Sequence, residues 1–343
     1  MYCLPVEKID SFFEAVASKQ KLYLPVTNSS KKANFELWEK GKVLSDELKT
    51  VRSAKDFFFP KAERLVNYKV NGKEIVVEDP RKEVEDFVVF GVRACDAKSF
   101  EVIDAVYLNM TPVDTYYKNR REHGTVITLA CNEPAQTCFC STYKLDAANP
   151  AGDVSCWKAD GKFYFEANTE KGKALIEAVK GVLADGDAKA VEECKKQITE
   201  KVEKLPFAHL DLSKLEKHEM LKMFNSKIWD QISEACLGCG TCTYVCPTCM
   251  CFDVRDFKKN DGSVEQVRCW DSCMYNDFTQ MAAENPRHTQ KERSRQRFMH
   301  KLMYYPMAHE NVFACVGCGR CLESCPVNMN IVKVIKAYNE SEE

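Results

Sequence analysis

Apolar positions follow two rhythms along this chain, and the change between them marks its organisation. Up to about residue 165 they come in short runs rich in β-branched residues. Lys21-Leu-Tyr-Leu-Pro-Val26, Phe87-Val-Val-Phe-Gly-Val92 and Thr125-Val-Ile-Thr-Leu-Ala130 are three of them. The last two lack polar alternation, which predicts strands buried on both faces, as in a parallel sheet. A helical stretch between them, roughly residues 96–108, completes a βαβ unit. Asn71-Gly72 and Asp160-Gly161 each sit between apolar β-formers and predict hairpins. A first helix is expected around Phe12 to Val16.

From Thr169 the period lengthens. Leu175, Ile176, Val179, Val182 and Leu183 share one helical face, and Val191, Cys194, Ile198 and Val202 another. Residues 212–231 predict a further amphipathic helix carrying Leu221, Phe224, Ile228 and Trp229. Residues 272–303 read as mostly helical, interrupted at Pro286.

The candidate chemistry lies in 19 cysteines. Cys236-Leu-Gly-Cys239-Gly-Thr-Cys242-Thr-Tyr-Val-Cys246-Pro247 recurs as Cys315-Val-Gly-Cys318-Gly-Arg-Cys321-Leu-Glu-Ser-Cys325-Pro326. Both read C-x2-C-x2-C-x3-C-P, the spacing with which three thiolates hold one [4Fe–4S] cluster and the fourth crosses to a second. Two intervening residues let a tight loop aim successive sulfurs at one cubane, and the glycines permit the turn. A zinc site would pair cysteines two and two with a long spacer. Disulfides do not account for a pattern that occurs twice. The crossover assigns Cys236, Cys239, Cys242 and Cys325 to one cluster, and Cys315, Cys318, Cys321 and Cys246 to the other.

Two further groups stand apart. Cys95 and Cys131 each follow a predicted strand, where sites in such sheets collect. With Cys138 and Cys140 they could form a third [4Fe–4S] site, the bland reading being buried free thiols. Cys249, Cys251 and Cys273, with Cys269 nearby, suit an extra metal site or thiols that line a cluster pocket. Cys156 reads as a strand residue, Cys194 as core, and Cys3 as incidental in a flexible start. The fold class expected is an α+β or α/β N-terminal domain over residues 1–210. An α-helical, two-cluster ferredoxin-like domain over residues 211–343 follows it.

Composition narrows the function. The chain has 343 residues and a net charge of −2, so it offers no overall electrostatic attraction to nucleic acid or anionic membrane. Residue 7 is already charged and no apolar export core precedes it, nor is there a membrane-length apolar run. Cysteine-rich chains of that kind keep reduced thiols or metal thiolates, which predicts a cytoplasmic protein of an anaerobic setting. Residues 286–301 concentrate basic charge. They read either as a solvated helix face or as a counter-charge to clusters, or a dock for an acidic partner. No glycine-rich nucleotide loop is present, and His123, His209 and His309 are scattered, so no catalytic residue is expected.

Gly91-Val-Arg-Ala-Cys-Asp96, the Cys138-Phe-Cys140 triplet, Cys246-Pro-Thr-Cys-Met-Cys-Phe-Asp253, Arg268-Cys-Trp-Asp-Ser-Cys273 and Arg295-Gln-Arg-Phe-Met-His-Lys301 run nearly the length of the chain. With the two cluster motifs they resemble the iron–sulfur subunit shared by sulfhydrogenase-type NiFe hydrogenases and anaerobic sulfite reductases. The resemblance implies an electron conduit between a FAD/[2Fe–2S] NAD(P)H-oxidoreductase subunit and a catalytic redox subunit. It also adds weight to Cys95, Cys131, Cys138 and Cys140 as ligands. The competing expectation is an autonomous oxidoreductase with a substrate or flavin site in the N-terminal domain.

Overall fold

The computed structural model describes residues 1–47 and 49–341. Its first strands are β1 (Tyr2–Pro5), β2 (Lys21–Thr27), β3 (Ala33–Leu37), β4 (Ala62–Asn71), β5 (Glu74–Glu78) and β6 (Phe87–Val92). Then come β7 (Gly124–Leu129), β8 (Val154–Ala159), β9 (Lys162–Ala167), β10 (Ala184–Asp185), β11 (Phe252–Lys258) and β12 (Val264–Trp270). Eight form one sheet in the order β10-β1-β9-β8-β7-β6-β2-β3, with β2, β6, β7 and β8 parallel. Every residue of β6 and β7 is buried. Alternate side chains explain why: Val88 and Phe90 join Phe12, Phe13 and Phe165 on one face, while Phe87 and Val89 join Phe58, Phe100 and Tyr117 on the other. Helices Ile9–Ala17 and Glu170–Val179 pack in the first layer, Ala94–Tyr107 and Thr115–His123 in the second. The βαβ unit and both hairpins are where the pattern puts them, and Gly72 and Gly161 take the positive φ their turns need.

Three expectations change. Cys3 is no part of a flexible start. It is buried in β1, which lies between β9 and β10, and its thiol donates to the Asp185 carbonyl at 3.3 Å. Residues 212–231 break into the helices Ser213–Glu216, Met220–Asn225 and Ile228–Glu234. His218 adopts a φ of 54° between the first two, and Leu221 is left exposed. Residues 272–303 are helical only in part: before residue 290 they hold just a 3-10 turn, Asp277–Thr279, and helix starts at Gln290–Met299, which continues through a π turn, His300–Tyr304, into Tyr305–Ala308. The spacer ahead of residue 272, for which no element is expected, forms the β11–β12 hairpin.

That hairpin makes the second sheet, β11-β12-β4-β5, so strands from either side of residue 210 share one ladder. Arg268 on β12 forms a buried ion pair with Glu63 on β4 and a second with Asp114 at the start of helix Thr115–His123. A further core gathers Met223, Trp229, Phe298, Leu302, Ile335 and Tyr338 around the C-terminal motifs. Phe139, from the Cys138-Phe-Cys140 triplet, is buried in it.

Candidate iron–sulfur centre

The two cysteine motifs are a structural repeat as well as a sequence repeat. Gly238 and Gly240 have φ of 66° and 72°, and Gly317 and Gly319 have 63° and 72°. Each second glycine caps a one-turn helix, Thr241–Tyr244 or Arg320–Glu323, that carries the third cysteine. Only glycine takes this left-handed backbone freely, so the spacing and the turn are one device. Cys242 lies within electrostatic reach of Cys236, Cys239 and Cys321, and Cys318 within reach of Cys246 and Cys321. Cys246, fourth in the first motif, therefore comes to the second motif. The backbone N–H of Met329 donates to Cys325 Sγ at 3.1 Å, and Gln290 Nε2 to Cys236 Sγ at 3.5 Å. Cys239 is exposed, and a hydrogen bond with Thr241 brings its thiol below the usual range.

The β11–β12 hairpin explains the next group. Cys251 immediately precedes β11 and Cys273 closely follows β12, so the antiparallel ladder returns them to one place. The Cys273 thiol donates to Cys251, which is brought down to about 7 first by that bond, while Cys273 itself is pushed up. Cys249 and Cys246 pair in the same way, their hydrogen bond bringing the Cys246 thiol down and pushing Cys249 up. Each pair shares one proton that a metal would displace. Cys269 lies within β12 opposite Asp253; its neighbour Trp270 turns inward, so Cys269 points to the other face.

In the N-terminal part, Cys131 senses Cys138, Cys140 senses both, and Cys95 senses Cys138 and Cys318. Burial pushes Cys140 up to about 12 and Cys95 well above its ordinary value. The loop bearing Cys138 and Cys140 is seated directly on the second motif. Phe139 N donates to the Gly317 carbonyl at 2.8 Å, and a side chain at Gly319 would meet Thr137. Cys156 and Cys194 lie in the apolar core, as the pattern suggests.

Buried cations surround these thiols, and they test whether a cluster fits. Lys55 Nζ donates to the carbonyls of Cys246 at 3.1 Å and Cys249 at 2.7 Å, and stands 3.7 Å over the Trp270 ring. Lys301, in the π turn, donates to Thr248 Oγ1 at 2.7 Å and the Ala314 carbonyl at 3.1 Å. Arg297 is 2% exposed, and its Nε and Nη1 reach no acceptor. Among the described residues no carboxylate forms an ion pair with Lys55, Arg297 or Lys301. Buried charge needs a counter-charge, and the anionic groups that act on Arg297 and Lys301 are cysteines, while on Lys55 Cys249 and Cys246 act more strongly than Asp56. Four thiolates on a cubane, with its net negative charge, meet that need. Arg297 and Lys301 belong to the basic stretch 286–301, which is therefore no simple solvated face. Lys55 carried no signal in the sequence.

A 4Fe–4S dicluster domain model matches residues 235–329. The sulfhydrogenase 2 subunit beta of Pyrococcus furiosus is 30% identical over 337 residues, 97% of each chain. The chain belongs to the sulfhydrogenase beta-subunit family. Within that family it is a chain with a 4Fe–4S domain, and the cysteines gathered above fall largely inside it or against it. No solved structure matches. No helix among the described residues is long and apolar enough to cross a membrane.

Proposed function

We propose that this chain is the electron-transfer subunit of a multisubunit oxidoreductase, relaying single electrons between two partner subunits. One partner is a FAD/[2Fe–2S] subunit that reacts with NAD(P)H, and the other a catalytic redox subunit of the hydrogenase or sulfite reductase type. The observation that carries the reading is the set of buried cations whose nearest counter-charges are cysteine thiols. Cys236, Cys239, Cys242 and Cys325 would hold one [4Fe–4S] cluster, and Cys315, Cys318, Cys321 and Cys246 a second. Cys95, Cys131, Cys138 and Cys140 would hold a third, and Cys249, Cys251 and Cys273 would line or ligate a further site. The clusters supply reversible one-electron chemistry; the chain's own residues set spacing, exclude water and balance charge. The family relative's name, a beta subunit, supports a place in a complex. A division near residue 210 and a cytoplasmic setting complete the reading.

The autonomous-oxidoreductase reading has less support. A cleft of about 640 Å³ in the N-terminal part is lined by Phe100, Arg121, Asp153 and Lys171, among others, and by no cysteine.

Iron and acid-labile sulfide per anaerobically purified chain test the proposal. About twelve irons are expected, and Cys138→Ser is expected to remove about four while leaving the C-terminal pair. A wild-type content near eight overturns the third site, and a chain without iron overturns the function.

A further inference from the structure

Helix Gln290–Met299 and the π turn after it present a stripe of polar residues to the cysteines. Gln290 donates to Cys236, and also to the buried Ser294 at 3.4 Å. Arg297 lies a turn further on, and Lys301 one turn beyond it beside Thr248 and Ala314. Positions 290, 294, 297 and 301 recur at the helical period, so they line one face. Capping at the start is complete: Thr289 and Glu292 form a reciprocal capping box that fixes where the stripe begins.

Gln290 and Lys301 donate to acceptors, and Ser294 accepts from Gln290. Arg297 has no partner at two of its nitrogens. It is 2% exposed, its guanidinium carbon lies 4.4 Å from the Phe298 ring centre, and Nε and Nη1 have no acceptor. A buried, unpaired donor costs about 1–3 kcal/mol, more when charged, so two on one cation indicate an acceptor supplied from outside the polypeptide. The groups that face it are Cys242, Cys321, Cys249 and Cys246, and Cys321 lies at hydrogen-bonding range. Cys321 and Cys246 belong to the same proposed cluster.

We infer that Arg297 donates a guanidinium hydrogen to the sulfur of the cluster held by Cys246, Cys315, Cys318 and Cys321, and raises that cluster's reduction potential. This rests on the proposed function. Reduction adds one electron, and with it one negative charge, next to a fixed guanidinium. The cation and its hydrogen bond stabilise the reduced form more than the oxidised form. Lys301 provides charge on the same side, but two of its three hydrogens are already committed to Thr248 and Ala314. The guanidinium holds its hydrogens rigidly in one plane along more than one edge, which a lysine cannot reproduce.

The test is a potentiometric titration of the anaerobic full-length chain, followed by electron paramagnetic resonance, with iron counted in each sample. In Arg297→Gln, iron content is expected to hold while the midpoint of one cluster falls. The expected fall corresponds to about a tenfold loss in the equilibrium constant for its one-electron reduction, about 59 mV. Arg297→Lys, which keeps the charge and loses the planar guanidinium, is expected to shift the same cluster by less. Unchanged midpoints in Arg297→Gln with iron retained overturn the inference. Loss of iron from both variants also overturns it, since Arg297 would then be building the site and not tuning it. A wild-type chain without iron refutes the underlying function before either variant is measured.

Discussion

Replacing Asp96 with alanine is expected to destabilise the folded chain by about 3–5 kcal/mol, the cost of leaving one partner of a buried ion pair alone. Asp96 and Arg320 are 1% and 2% exposed, and they meet through two bonds, Nη1 to Oδ1 at 2.5 Å and Nη2 to Oδ2 at 2.7 Å. Asp96 stands in the first turn of helix Ala94–Tyr107, next to Cys95, while Arg320 opens the helix that carries Cys321. Arg320 also donates from Nε to the Thr50 carbonyl at 2.9 Å. The pair therefore ties the N-terminal cysteines to the second motif, and domains of this size have only about 5–15 kcal/mol to lose. The denaturation midpoint of Asp96→Ala at matched iron content checks this. The double change Asp96→Leu with Arg320→Met, which buries no charge, is expected to recover much of the loss. A single variant with the wild-type midpoint would sink the argument.

Gly317→Ala is expected to strip iron from the chain, whereas Gly161→Ala leaves it in place. Both glycines have positive φ, 63° and 69°, so both substitutions carry the left-handed strain of about 1–2 kcal/mol. They differ in what a methyl group meets. At Gly161 nothing lies within 4 Å, while at Gly317 a Cβ would fall on the Phe139 carbonyl and 2.6 Å from Cys140 Cα. Backbone cannot rotate away as a side chain can, so the loop bearing Cys138 and Cys140 must lift off the second motif. Iron content and the cluster spectra of the two variants decide the matter. Equal iron in both would show that the loops tolerate separation.

The contrast between what was legible and what was not follows sequence distance. The hairpins at Asn71-Gly72 and Asp160-Gly161 depend on turn residues beside their own strands, and the pattern shows them directly. β1 was hidden because Tyr2-Cys-Leu-Pro is short and its neighbours, β9 and β10, lie far along the chain. The β11–β12 hairpin had a signal that cysteine density masked. Phe252-Asp-Val-Arg alternates apolar and polar residues, and Asp261-Gly262 marks its turn. Reading it would have placed Cys251 beside Cys273. The ligand spacing of both motifs was legible because it is local. The cations were not. Nothing in Ala54-Lys-Asp distinguishes Lys55 from a surface lysine until the fold buries it against Cys246 and Cys249. For Arg297 and Lys301 the basic run left a solvated face and a counter-charge to clusters both open, and the pattern did not single out these two until the helix turned their face inward.

The shared second sheet also sets a timetable for synthesis. Glu63 on β4 and Arg268 on β12 are 205 positions apart, yet they form one ion pair across adjacent strands. At roughly 5–20 residues per second on the ribosome, β4 waits about 10–40 s with one edge unpaired. Such an edge is an invitation to other strands, and its own β5 covers only the opposite side. The loop around Cys138 waits for fewer residues but is completed later still, because Gly317 forms its back wall. In the proposed third site, loading of iron into the N-terminal thiols would therefore be a late event for each new chain, delayed until almost all of it has been made.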